Sequence, residues 1–111
     1  MCGMKILCIE DHPEYLAILT CALEGIGYDV MPARNEGQAI HALTQQSIDG
    51  VLLEDNLQNV TGVTLRSKLK AIRPEIPVLL FAGVGKQTTH MLRFFDAYLR
   101  NVEGTLGDTE L

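Results

Sequence analysis

At 111 residues, 47% of them hydrophobic and 21% charged, the chain has room for one globular domain, 1–111, and not for two. A formal net charge of −5 excludes a phosphate-backbone binder, whose affinity comes from clustered Lys and Arg. No apolar run nears the roughly 20 residues of a membrane span, and no basic flank precedes an apolar leader, so the expectation is a cytoplasmic protein without membrane contact.

In chain order, Ile6-Leu7-Cys8-Ile9 is an apolar run without polar alternation, the pattern of a strand buried on both faces, and it stops on Glu10-Asp11. His12-Pro13 opens a helix at the position where a missing amide proton costs nothing. Leu16, Leu19, Leu23 and Ile26 give that helix one apolar face, and Gly25 and Gly27 supply the stop. Residues 28–33 read as a second strand, with Pro32 marking a sheet edge. Asn35 and Gln38 have capping-box spacing before a helix that buries Ala39, Ile40 and Leu43. Cys2, Cys8 and Cys21 follow no metal-binding spacing and read as reduced thiols, with Cys8 and Cys21 as small core residues.

Asp49-Gly50-Val51-Leu52-Leu53-Glu54-Asp55 is the third strand and again ends on acids. A loop follows to Gly62, then a helix carrying Val63, Leu65, Leu69 and Ile72 that ends before Pro74. Pro77 opens a fourth strand. Gly83-Val84-Gly85-Lys86-Gln87-Thr88 has the look of a phosphate loop, but Leu80 stands where its first glycine belongs and Gln87 where a metal-binding hydroxyl belongs. A short helix with Met91, Leu92, Phe94 and Phe95 comes next, and Ala97-Tyr98-Leu99 reads as a fifth strand. Residues 102–111 form a polar tail, either poorly structured or the start of a truncated helix capped by Asp108.

Strand–helix alternation of this kind predicts an α/β, doubly wound, five-stranded parallel sheet. Right-handed crossovers and the edge proline favour the order 2-1-3-4-5. Strands 1 and 3 are then neighbours, and Glu10 and Asp11 converge with Glu54 or Asp55 in one acidic pocket. Like charges about 4 Å apart repel by roughly 1–4 kcal/mol for effective dielectrics between 80 and 20. Relief has to come from a divalent cation, a raised pKa or a basic group.

These residues resemble the receiver domains of two-component response regulators, the CheY-like family with a flavodoxin-like fold. Ile6 to Pro13 is similar to the family's first strand and acidic pair, Asp49 to Glu54 with Thr61-Gly62 to its third strand, Ile76 to Gly83 to its fourth and Tyr98 to Asn101 to its fifth. The resemblance implies that Glu10 and Asp11, with Glu54, hold a magnesium ion. Glu54 takes the place of the phosphate-accepting aspartate, with Asp55 as the alternative in a register slipped by one. Ala82 takes the place of the strand-4 hydroxyl residue, Tyr98 that of the strand-5 aromatic and Asn101 that of the strand-5 lysine. Each donor lost from such a site costs about 2.7–4 kcal/mol of transition-state stabilisation.

The expectation is therefore an atypical receiver of two-component or phosphorelay signal transduction. It acts as a protein-interaction module independent of phosphorylation, is not an enzyme, and binds Mg2+ weakly if at all. The expected partner is a sensor kinase, an effector domain or a second copy. The alternatives are a receiver phosphorylated on Glu54 or Asp55, and a small-molecule-binding flavodoxin-like domain. With the family's fifth helix missing or truncated, the face beside helix 1 would lie bare, which leads to the expectation of a homodimer or an element exchanged between copies.

Overall fold

The computed structural model of the chain describes residues 3–85, 87–101 and 109–110. Its elements are β1 (Lys5–Ile9), α1 (Pro13–Ile26), β2 (Asp29–Ala33), α2 (Glu36–Gln45), β3 (Gly50–Glu54), α3 (Gly62–Ile72), β4 (Val78–Phe81), α4 (Thr88–Asn101) and β5 (Thr109–Glu110). Four full strands lie parallel in the order β2-β1-β3-β4, and the two residues of β5 pair with Leu79 and Leu80 on the outer edge of β4. Pro32 sits on the edge strand, opposite Cys8, where its missing N–H leaves no inner ladder incomplete.

Local signals account for most of these elements. Pro13 starts α1, and Gly27, at φ 117°, ends it. Asn35 caps α2 by accepting from the Gln38 amide, while the Gln38 side chain reaches one residue further back than a strict capping box, to the Arg34 amide. Thr61 caps α3.

Side chains alternate across the sheet, as a strand period of two requires. Ile6, Cys8, Leu52, Leu79 and Phe81 pack with α1, while Leu7, Ile9, Val51, Leu53, Val78 and Leu80 pack with α2 and α3. Ile26, Val63 and Ile72, expected in buried stripes, are partly exposed at 37%, 46% and 39% because they fall at the rims of their helices. Cys8 is buried as expected, whereas Cys21 is exposed on α1 and is not a core residue. Cys2 lies outside the described residues.

The last quarter of the chain departs from expectation. Ala97-Tyr98-Leu99 is not a strand: it is the last turn of α4. Met91, Leu92, Phe95, Tyr98 and Leu99 recur at helical spacing, and that period wins over the short apolar run. Thr109 and Glu110, expected at a helix start, form β5 instead; residues 102–108 and 111 of the expected tail lie outside the described residues.

The face beside α1 is not bare either. A right-handed β4–β5 crossover would place α4 with α2 and α3. Instead its apolar side joins the cluster formed with Leu16, Leu19 and Leu23 of α1. The Tyr28 hydroxyl donates to Asp96 on α4, and Leu99 lies so close over β3 that a Cβ at Gly50 would stand 2.8 Å from its Cδ2. α4 thus covers the surface that a fifth helix was expected to cover.

That docking has a mutational signature. Phe95→Ala, at a fully buried position, is expected to cost about 3–5 kcal/mol. Phe94→Ala, one residue away and 42% exposed, should cost less than about 1.5 kcal/mol, the worth of its ring contact with Tyr98. Urea unfolding midpoints read both, and equal losses would contradict the docked position of α4.

Candidate functional site

Glu10 and Glu54, 2% and 3% exposed, are the buried charged residues among those described. Both stand at the carboxyl ends of neighbouring strands, where a parallel sheet opens its crevice. With Asp11 and Ala82 they line a cavity of about 350 Å3, joined by His12, Tyr15, Asn56 and Gly83. Asp55 is not among its lining residues. Its backbone is spent in the β3–α3 junction, where its amide donates to the Phe81 carbonyl at 2.7 Å and its carbonyl accepts from Gly62 at 2.8 Å.

Buried carboxylates need donors, and here the main chain supplies them. Glu54 Oε2 accepts from the Asn56 amide at 2.8 Å, and both its oxygens face the Gly83 amide, at 3.0 and 3.3 Å. Glu10 Oε2 accepts from the His12 amide at 3.0 Å, and Asp11 Oδ2 from the Gln58 amide at 2.8 Å. Among the described residues lining the cavity there is no Lys or Arg. Residue type gave no sign of these contacts, because a backbone N–H has the same chemistry at nearly every position.

The chain's close packing fixes the loop behind Glu54. A Cβ at Gly62 would fall 2.6 Å from both Asp55 Cα and Leu80 Cδ1, so only glycine lets α3 begin this close beneath the end of β3.

Two expected switch positions lie elsewhere. Tyr98 is buried on α4 and stacks with Phe94, ring centroids 6.3 Å apart, and Asn101 ends the same helix. Neither stands at the end of a fifth strand, because the segment that carries them is helical. Ala82 follows β4 directly and does reach the cavity.

Burial, more than any other cause, pushes the Glu10 carboxyl up to about 7; the adjoining Glu54 and Asp11 carboxyl groups add to the shift, and the His12 N–H offsets part of it. The same burial, with the Glu10 charge second, pushes the Cys8 thiol up to about 12, so Cys8 is not a reactive thiol. Glu10 Oε1 is buried without a hydrogen-bond partner. Among the described residues no three His, Cys, Asp or Glu side chains form a ready metal-binding group. One orphan oxygen on Glu10 beside Asp11 fits a hydrated Mg2+ ion, which keeps several waters and needs only one or two carboxylates. It does not fit an all-protein cage.

The raised Glu10 pKa sets a pH dependence. The folded state keeps a proton that the unfolded chain releases from its ordinary value of 4.5. Stability from this group is therefore full below that value, declines as pH rises to about 7, and is flat above it. Melting temperature should fall between pH 5 and about 7, and Glu10→Gln should flatten that part of the curve. A variant with the unchanged slope would show that another group carries it.

Comparison with known proteins agrees with this geometry. A family profile described as response regulator receiver domain matches residues 6–100. The chain is 31% identical over 87 residues to the transcriptional regulatory protein ZraR of Escherichia coli K12, covering 78% of the chain and 20% of ZraR. It is 33% identical over 75 residues to the sensor protein EvgS of Escherichia coli O157:H7, covering 68% of the chain and 6% of EvgS. It thus spans a fifth or less of the length of these relatives. Among solved structures, the response regulator TrrA of Thermotoga maritima in complex with Mg2+-BeF superposes with a TM-score of 0.72 at 16% identity, over 97% of this chain and 84% of that one; at that identity the likeness speaks for the fold. Profile, relatives and fold converge, and the chain belongs to the response regulator receiver domain family.

Proposed function

We propose that this receiver domain works in two-component signalling as a protein-docking module that does not depend on phosphorylation. The observation that carries the reading is the Glu54 carboxylate. The resemblance to the family assigns it the phosphate-accepting position, and it spans from β3 to the β4–α4 loop through the Gly83 amide. A phosphoryl group on an acceptor aspartate would have to recruit that loop, and Glu54 holds it with its own charge.

The same pocket is poor at acquiring phosphate. Phosphoryl transfer to a carboxylate relies on positioning and on neutralising charge on the transferring oxygens. Here Ala82 has no hydroxyl, the described lining residues offer no cation, and the Glu54 oxygens are engaged by amides. Glu10 and Asp11 would hold Mg2+ loosely. The domain is a cytoplasmic binding module rather than an enzyme. Its partners are proteins of the same signalling class: ZraR is named a transcriptional regulatory protein and EvgS a sensor protein.

Incubation with acetyl phosphate and Mg2+, followed by intact mass, tests the reading. The expected mass is unchanged, and beryllofluoride is expected to bind no tighter than millimolar, on the order of −4 kcal/mol. A gain of one phosphoryl group, on Glu54 or Asp55, would overturn it.

A further inference from the structure

The carboxylates of the acidic pocket are short of donors. A carboxylate offers about four lone-pair sites on its two oxygens. Glu10, Asp11 and Glu54 share the amides of His12, Gln58, Asn56 and Gly83. Glu10 is 2% exposed and lines the cavity, and its Oε1 has no hydrogen-bond partner. Amide dipoles also leave the net charge unbalanced, and the described residues lining the cavity include no Lys or Arg. At the outer side of these acids stands an aromatic wall. Tyr15, 39% exposed, stacks on His12 with ring centroids 4.1 Å apart and 18° between the planes, and both residues line the same cavity.

We propose that this pocket receives an arginine side chain of the partner protein, its guanidinium bonded to Glu10 and Asp11 and its flat face against the Tyr15 ring. The guanidinium is a planar fork of N–H donors with no acceptor, so it fills carboxylate lone pairs and adds no unmet group of its own. It is more weakly hydrated than an ammonium, which lowers the cost of entering a half-enclosed cavity, and it lies flat on an aromatic face. A cation over a tyrosine ring is attracted by the ring's negative face. The cavity, about 350 Å3, has room for such a group. Glu54 keeps its bonds to the Asn56 and Gly83 amides throughout, so the loops around the pocket stay held. The chain's net charge of −5 draws a basic partner surface toward it. Hydrated Mg2+ uses the same two carboxylates, so metal and arginine exclude each other. The inference rests on the docking reading and names the partner group which that reading leaves open.

Three probes test it: N-acetyl-arginine amide, N-acetyl-lysine amide and N-acetyl-citrulline amide, the last an uncharged isostere of the first. Each is titrated into the isotope-labelled chain at constant ionic strength and followed by NMR. The arginine probe should shift the His12 and Gln58 amides saturably, with a dissociation constant on the order of millimolar for a single side chain. The lysine probe should bind more weakly, the citrulline probe should give no saturable shift, and Mg2+ should displace the arginine probe. Tyr15→Ala, at an exposed position, should weaken arginine binding by about two- to fivefold and leave Mg2+ binding unchanged. A silent arginine titration would overturn the proposal, as would lysine or citrulline binding as tightly as arginine, or a Tyr15→Ala variant with undiminished arginine affinity. A phosphoryl group gained from acetyl phosphate defeats the docking reading whatever these titrations show. An unchanged mass with a silent arginine titration defeats this inference alone.

Discussion

A buried negative charge with no basic side chain beside it among the described residues is the constraint on which the upper end of this fold depends. Glu54 closes β3 inside the protein, where an ionised carboxylate is tolerated only if it is well bonded. Its partners are the Asn56 and Gly83 amides, one in its own loop and one across the sheet. Hydrogen bonds to a charged group contribute about 1.5–3 kcal/mol each. The Glu54 charge therefore fixes the β3–α3 and β4–α4 loops together. Asp11 repeats the device through Gln58, so that the loops after β1, β3 and β4 are tied by carboxylates to main-chain N–H groups.

Glu10 stands apart in this arrangement. One of its oxygens is bonded and the other is orphaned, and it is Glu10 whose ionisation is displaced. Burial is the main cause of that displacement, and the neighbouring Glu54 and Asp11 carboxyl groups add to it. The pocket retains a family acidic pair, yet its oxygens are organised around the chain's own amides. The pocket is thereby clamped to the loops around it.

From β1 to β4 the fold was legible in the sequence. Apolar runs stopping on acids, Pro13 at a helix head, Asn35 as a cap and Pro32 at an edge all act locally, and the structure places them as local physics requires. The convergence of Glu10 and Glu54 was legible for the same reason, since both sit at ends of adjacent parallel strands. The segment from Thr88 onward was not. Ala97-Tyr98-Leu99 is too short an apolar run to distinguish strand from helix. What decided it is tertiary: the α1 face needed covering, and residues at helical spacing from Met91 to Leu99 could cover it. The amide partners of the acids were hidden for a different reason, because backbone donors leave no mark in residue type.

The Gly83 amide is the most direct witness to the central claim that Glu54 holds the β4–α4 loop without phosphate. Its exchange with solvent, followed by NMR at neutral pH in the unmodified protein and in Glu54→Ala, isolates that one bond. The account predicts slow exchange and a downfield amide proton in the unmodified protein, both lost in the variant while the amides of β1 and β3 stay protected. A Gly83 amide that already exchanges at the rate of an exposed loop before any substitution would contradict it.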